Sequence, residues 1–104
     1  MRAQFLSVRM ANVTLEFWPD YGDGPVWTPD GKVADLAGLG LSHDLIAALG
    51  AWNRRYAEDK IPLDGVGDAA WLAEGRLLLR RLREALKPDH AVVVTEDWWG
   101  EDLT

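Results

Sequence analysis

The chain of 104 residues contains no cysteine, which excludes thiol nucleophiles, thiolate metal sites and redox sensing. No apolar run approaches the ~20 residues that a membrane-spanning helix needs. Histidine is scarce. His43 and His90 have neither a second His nor a Cys at ligand spacing, so no zinc motif exists. Both read as surface or capping residues. A general-base role for either would need a nucleophile and an orienting group that the sequence does not identify. Phosphate loops are missing too. Leu36 to Leu41 (L-A-G-L-G-L) lacks the third glycine and the Lys-Ser/Thr of a nucleotide loop, and reads as a connector. Asp64 and Asp68 flank Gly65 and Gly67, but D-G-V-G-D supplies only the first and fifth ligand positions of a twelve-residue calcium loop. No cofactor and no metal are expected, and no catalytic set is visible.

What the chain does have is acid and tryptophan. Its net charge is −6, which argues against a general nucleic-acid binder. The acids collect in residues 11–41 and 89–104, whereas 1–10 and the stretch 61–88 are net basic. Six Trp stand against two Tyr and two Phe, more than a core of this size requires. The length is that of one ordinary domain. Phe5, Leu6 and Val8, between Arg2 and Arg9, are too few and too interrupted for a secretion signal. Residues 1–9 read as an extension or an extra edge strand, ahead of a single domain over 10–104. A cytoplasmic setting fits.

Val13, Leu15 and Phe17 alternate with Thr14, Glu16 and Trp18, the period-2 pattern of a half-buried strand. Pro19 to Pro25 (P-D-Y-G-D-G-P) is a loop, since two Pro break a ladder and Gly permits positive φ. Val26-Trp27-Thr28 predicts a short strand that ends at the turn Pro29-Asp30-Gly31 and resumes briefly at Lys32-Val33-Ala34. Ser42 is a good N-cap. Leu45, Leu49, Trp52 and Tyr56 then mark one face of a helix running to about Asp59. Asp68 is the N-cap of a second helix that stops before Pro88. Its apolar face is Trp71, Leu72, Gly75, Leu78, Leu79, Leu82 and Leu86, and a glycine there predicts close approach to another element. Ala91 to Thr95 (A-V-V-V-T) reads as the most buried strand, at the centre of the sheet.

The fold class predicted is α+β in the order β-β-α-α-β. A two-helix hairpin returns the chain to its starting side, so the last strand should lie beside the first and parallel to it. The result is a small three-stranded sheet, order 2-1-3, with the hairpin packed on one face.

Two surfaces stand out. Trp18, Trp27, Trp98 and Trp99 lie at strand ends or loop margins beside acids. If the last strand continued, its alternation would keep Trp98 and Trp99 from both facing the helices. On one reading these indoles merely cover the helix-free face of the sheet. On the other, Trp18, Asp20, Tyr21, Asp23, Trp27, Trp98, Trp99 and Glu101 form an aromatic patch with an acidic rim. Such a patch would dock a basic protein partner, as interface anchors and charge steering do. The second surface is a basic stripe on the second helix, Arg76, Arg80, Arg83 and Lys87. It reads as a solvated face, or with Tyr21 and Trp27 as a small-ligand or anion site.

The run F-W-P-D-Y-G-D-G-P-V-W, the L-S-x-D-L helix start and the A-E-G-R-x-L-x-R-x-L helix resemble a group of small uncharacterised actinobacterial proteins with a D-Y-G-x-x-P-hydrophobic-W loop, here Asp20 to Trp27. The resemblance covers roughly Val13 to Val94 and implies no activity. The functional expectation therefore rests on the residues. It is a non-catalytic interaction domain, monomer or homodimer, of an immunity or inhibitory type that masks a basic protein. It binds neither nucleic acid nor membrane.

Overall fold

Leu15 and Phe17 point to the same side of the first strand and bury almost completely, while Thr14 is exposed and Glu16 half-buried on the other side. That alternation fixes which face of the sheet receives the helices. The computed structural model describes residues 13–63, 65–100 and 102–103. Residues 1–9, read above as an extension or extra strand, lie outside the described residues.

Strand β1 (Thr14–Phe17) is central. Strand β2 (Val26–Trp27) runs antiparallel on one side, with Glu16 opposite Trp27 and Phe17 opposite Val26. Strand β3 (Ala91–Val93) runs parallel on the other, with Leu15 opposite Val92. The sheet order is thus β2-β1-β3, as the chain order implied. Helices α1 (His43–Arg54) and α2 (Ala69–Leu86) connect β2 to β3.

Both N-caps act as expected. Ser42 Oγ accepts from the Leu45 amide at 3.2 Å, and Asp68 Oδ1 accepts from the Trp71 amide at 3.0 Å. All seven residues of the predicted α2 face are buried. Helix α1 is shorter than expected. It ends at Arg54, and a 3-10 turn at Glu58–Lys60 follows. Tyr56 keeps an inward contact, 6.0 Å from the Trp71 ring, but from beyond the helix end. An apolar stripe reports burial and does not locate where helical backbone stops.

The reading of Ala91 to Thr95 as the most buried, central strand is corrected, while the 2-1-3 order, which puts it at an edge beside β1, holds. β3 is an edge strand in which only Val92 is buried. Its β-branched run reflects strand propensity, whereas pleating still turns Ala91 and Val93 to the helix-free face. The β3 edge is capped from within the chain. Glu16 turns its backbone groups toward β2, so Leu15 faces β3 and the Val92 carbonyl points outward. Arg83 donates to that carbonyl through Nε at 2.9 Å and Nη2 at 2.7 Å. Partial burial holds the Arg83 guanidinium below its ordinary pKa. On the β2 side, Val33 bridges to Trp27 and the Ala34 amide donates to the Val26 carbonyl at 2.9 Å.

Between the layers sits an indole cluster. Trp52 of α1 and Trp71 of α2 stack with centroids 4.2 Å apart and planes 8° apart. Each Nε1–H donates to the other residue's main-chain carbonyl, at 2.8 Å from Trp52 and 3.0 Å from Trp71. Phe17 stacks on Trp52 from the sheet side, and Trp99 closes the cluster edge-on against Phe17. Trp99 belongs to a second 3-10 turn (Asp97–Trp99), so strand alternation does not govern this pair. It is fully buried, not on the open sheet face. Gly75 makes this closure possible. A Cβ there would come within 2.5 Å of Trp52 Cζ2 and 2.9 Å of Trp99 Cζ3.

Two predictions follow from the caps and the cluster. Gly75→Ala gains about 1 kcal/mol of helix propensity. Overpacking against two fixed indoles costs about 1–3 kcal/mol and outweighs it. The urea midpoint should therefore fall; a rise would refute the tight contact. At Asp68, the Trp71 amide first and then the Lys60 ammonium hold the carboxyl below its usual range. A depressed folded pKa means stability that is present above the unfolded value and lost as pH falls through the folded one. Asp68→Ala should lower stability at neutral pH, and the gap from the parent should close on acidification. A gap that persists at low pH would assign the cap another origin.

Candidate functional site

The parallel strands β1 and β3 end at the same edge of the sheet. Each is followed by an aromatic-acidic segment, and α1 delivers its last turn there too. After β1 the chain loops through Pro19 to Pro25, closed by the Trp18 amide donating to the Pro25 carbonyl at 2.9 Å. The Trp18 and Trp27 rings stack at 4.4 Å and 10°, and Trp27 Nε1–H donates to the Trp18 carbonyl at 2.9 Å. Asn53 holds the loop from α1. It is buried, with 3% exposure. Its Oδ1 accepts from the Asp20 amide at 3.0 Å, and its Nδ2 donates to the Asp23 carbonyl at 3.0 Å. Tyr21 packs on Tyr56 at 4.9 Å, and its hydroxyl accepts from the Glu58 amide at 3.2 Å.

These segments enclose a groove of about 210 Å³ lined by Trp18, Pro19, Asp20, Tyr56, Ile61, Glu96 and Trp98. Ile61 is shared with a neighbouring depression of about 340 Å³, which also includes Glu58, Asp59 and Leu63. No Lys or Arg lines either one among the described residues. Burial pushes the Tyr56 phenol up, and the carboxylates of Glu58 and Asp20 add to that rise.

Glu96 is held in place. Its Oε1 accepts from Trp99 Nε1–H at 3.0 Å and its Oε2 from Thr95 Oγ1 at 2.6 Å. Trp98, the adjacent indole, is half-buried on the groove wall. Its Nε1 is buried without an acceptor among the described residues.

The structure thus brings Trp18, Asp20 and Trp98 into one groove, with Tyr21 beside it. Asp23 is exposed on the same loop. Trp27 is buried beneath Trp18 at 8% exposure, and Trp99 lies in the core. Of the four indoles read either as a cover for the helix-free face or as a docking patch, these two are buried. Glu101 lies outside the described residues. Tyr56, Ile61, Glu96 and the loop-holding Asn53 were not among the predicted site residues. Glu96 could have been found from its place two residues before Trp98. Asn53 carries only the weak signal of an amide beside a core Trp.

The basic stripe lies elsewhere and is partly engaged. Arg83 caps β3, and Arg80 pairs with Asp102 at 2.9 Å. A third depression of about 300 Å³ lies at the opposite end of the sheet and is mostly apolar, with Asp35 and His90 in its lining. No group of three or more His, Asp or Glu among the described residues could hold a metal ion. No helix there is long and apolar enough to cross a membrane.

A family model described as Serratia CdiI immunity protein-like matches residues 13–97, and the chain belongs to that family. A search of curated proteins finds no match. The matched segment covers every groove residue named above except Trp98.

Asn53→Ala should release the loop from α1. Leaving the Asp20 amide without its buried acceptor costs about 1–3 kcal/mol. Hydrogen exchange of that amide should accelerate along with the stability loss. Protection equal to that of the parent would remove Asn53 from its anchoring role.

Proposed function

We propose that this protein is an immunity-type inhibitor that binds a basic protein toxin through the groove at the carboxyl ends of β1 and β3, without catalysis. The observation that carries the reading is the groove itself. It is an aromatic cleft with carboxylates from two segments and, among the described residues, no basic residue lining it, in a chain of the immunity-protein-like family. The wall formed by Trp18 to Asp20 adjoins the Asp20–Trp27 loop that gives the sequence its resemblance to small actinobacterial proteins. Membership of that loop in the docking face is part of the proposal.

Interface physics agrees with this assignment. Trp and Tyr anchors supply contact area at low entropic cost, and an acidic rim speeds encounter with a basic partner. Exposed Tyr21 and Leu63 extend the apolar surface beyond the groove. The anion-site alternative draws less support, because Arg83 and Arg80 already have partners in the fold.

The test is neutralisation of the toxin encoded beside this gene, with affinity measured on the purified pair. Asp20→Asn combined with Trp98→Ala should weaken binding by at least about tenfold, as expected for loss of an anchor and its charge. Added salt should slow association. Full protection by the double variant, with parental affinity, would move the interface elsewhere.

A further inference from the structure

We infer that the groove is a seat for one arginine side chain of the bound protein; this rests on the protein-binding reading above. Size comes first. At about 210 Å³ the groove is smaller than the roughly 300–1,000 Å³ typical of small-molecule sites. It is too small for a helix or strand and suits a single long side chain.

The wall chemistry selects which one. Trp18, Trp98 and Tyr56 present ring surfaces, and Asp20 and Glu96 bring carboxylates from different segments of the chain. A guanidinium is planar, stacks on aromatic faces and forks its donors toward carboxylates. An ammonium is compact and strongly hydrated, and does neither well. An apolar side chain would desolvate both carboxylates and bring no donor to them.

The two carboxylates are placed before any partner arrives. Trp99 and Thr95 hold Glu96, and Asn53 holds the backbone of Asp20. Such placement reduces the ordering that binding requires. Nearby cations of the chain itself are engaged elsewhere. Lys60 pairs with Asp68 at 3.0 Å and Arg55 with Glu74 at 2.6 Å.

Trp98 supplies the reporter for this seat. Its ring lines the groove while its Nε1–H is covered, so the indole signal responds to what packs on the ring.

The experiment follows the indole N–H signals of the full 15N-labelled chain. The probes are N-acetyl-arginine amide, N-acetyl-lysine amide and N-acetyl-citrulline amide, the last a neutral isostere. The arginine amide should shift the Trp98 signal saturably in the millimolar range. The lysine amide should bind at least about fivefold more weakly, and the citrulline amide should leave the signal in place. In Asp20→Asn/Glu96→Gln the arginine response should drop at least about tenfold. Unmoved Trp52 and Trp71 signals would show that the fold is intact. Equal responses to arginine and lysine, a response to citrulline, or no arginine response would each overturn the inference.

The two proposals fail separately. If the toxin binds the Asp20→Asn/Glu96→Gln variant as tightly as the parent, the arginine seat falls and the immunity reading stands. If the arginine amide titrates Trp98 but the protein neutralises no toxin, the seat stands and the immunity reading falls.

Discussion

The two helices are joined by a reciprocal pair of indole hydrogen bonds. Trp52 and Trp71 each bury a ring against the other, and each satisfies the other's N–H with a main-chain carbonyl. A buried indole that lacked an acceptor would be costly, so each ring depends on the other's position as well as its bulk. The pairing sets the spacing and rotation of α1 against α2. Phe17 then docks the sheet on this platform, and Gly75 leaves room for Trp99 to complete it.

The groove inherits its geometry from that platform. Trp99 is a core residue, yet its N–H orients Glu96 on the groove rim. Trp98, one residue earlier, lines the groove, and its own N–H is covered with no acceptor among the described residues. A 3-10 turn separates the two adjacent indoles, which a continuing strand would have sent to opposite faces of a sheet. Likewise Trp52 is in the core and the next residue, Asn53, holds the Asp20–Asp23 loop. Core and site are thus adjacent along the chain at both places, and packing fixes the groove's charged groups.

Much of the fold was legible in the sequence because it rests on local signals. Period-2 alternation marked β1, Ser42 and Asp68 marked the helix starts, and the 3.6-period face of α2 named its buried residues without error. The sheet order followed from topology alone. The misjudged elements depended on tertiary context. Nothing local distinguishes the edge strand Ala91–Val93 from a central one, because its Val run looks the same in either place. The site was read in outline. Acid and indole at the strand ends marked the end of the sheet where the groove lies, and Trp18, Asp20 and Trp98 line it. Trp27 and Trp99 have the same local chemistry as those indoles, and only the three-dimensional packing shows them buried. Glu96, Tyr56 and Asn53 gain their roles from neighbours distant in sequence or from a turn that the pattern does not encode.

The guanidinium of Arg83 on the Val92 carbonyl bears on how this small sheet meets other chains. An open strand edge is a template, and three short strands leave two such edges exposed to any passing peptide. Here a fourth strand beside β3 would first have to displace a two-pronged cap, and one beside β2 would have to displace the segment that returns through Val33 and Ala34. Among the described residues, then, backbone pairing would meet an occupied carbonyl beside β3 and a returning segment beside β2, whereas the groove offers side-chain shape and charge, which discriminate between chains where a bare strand edge does not.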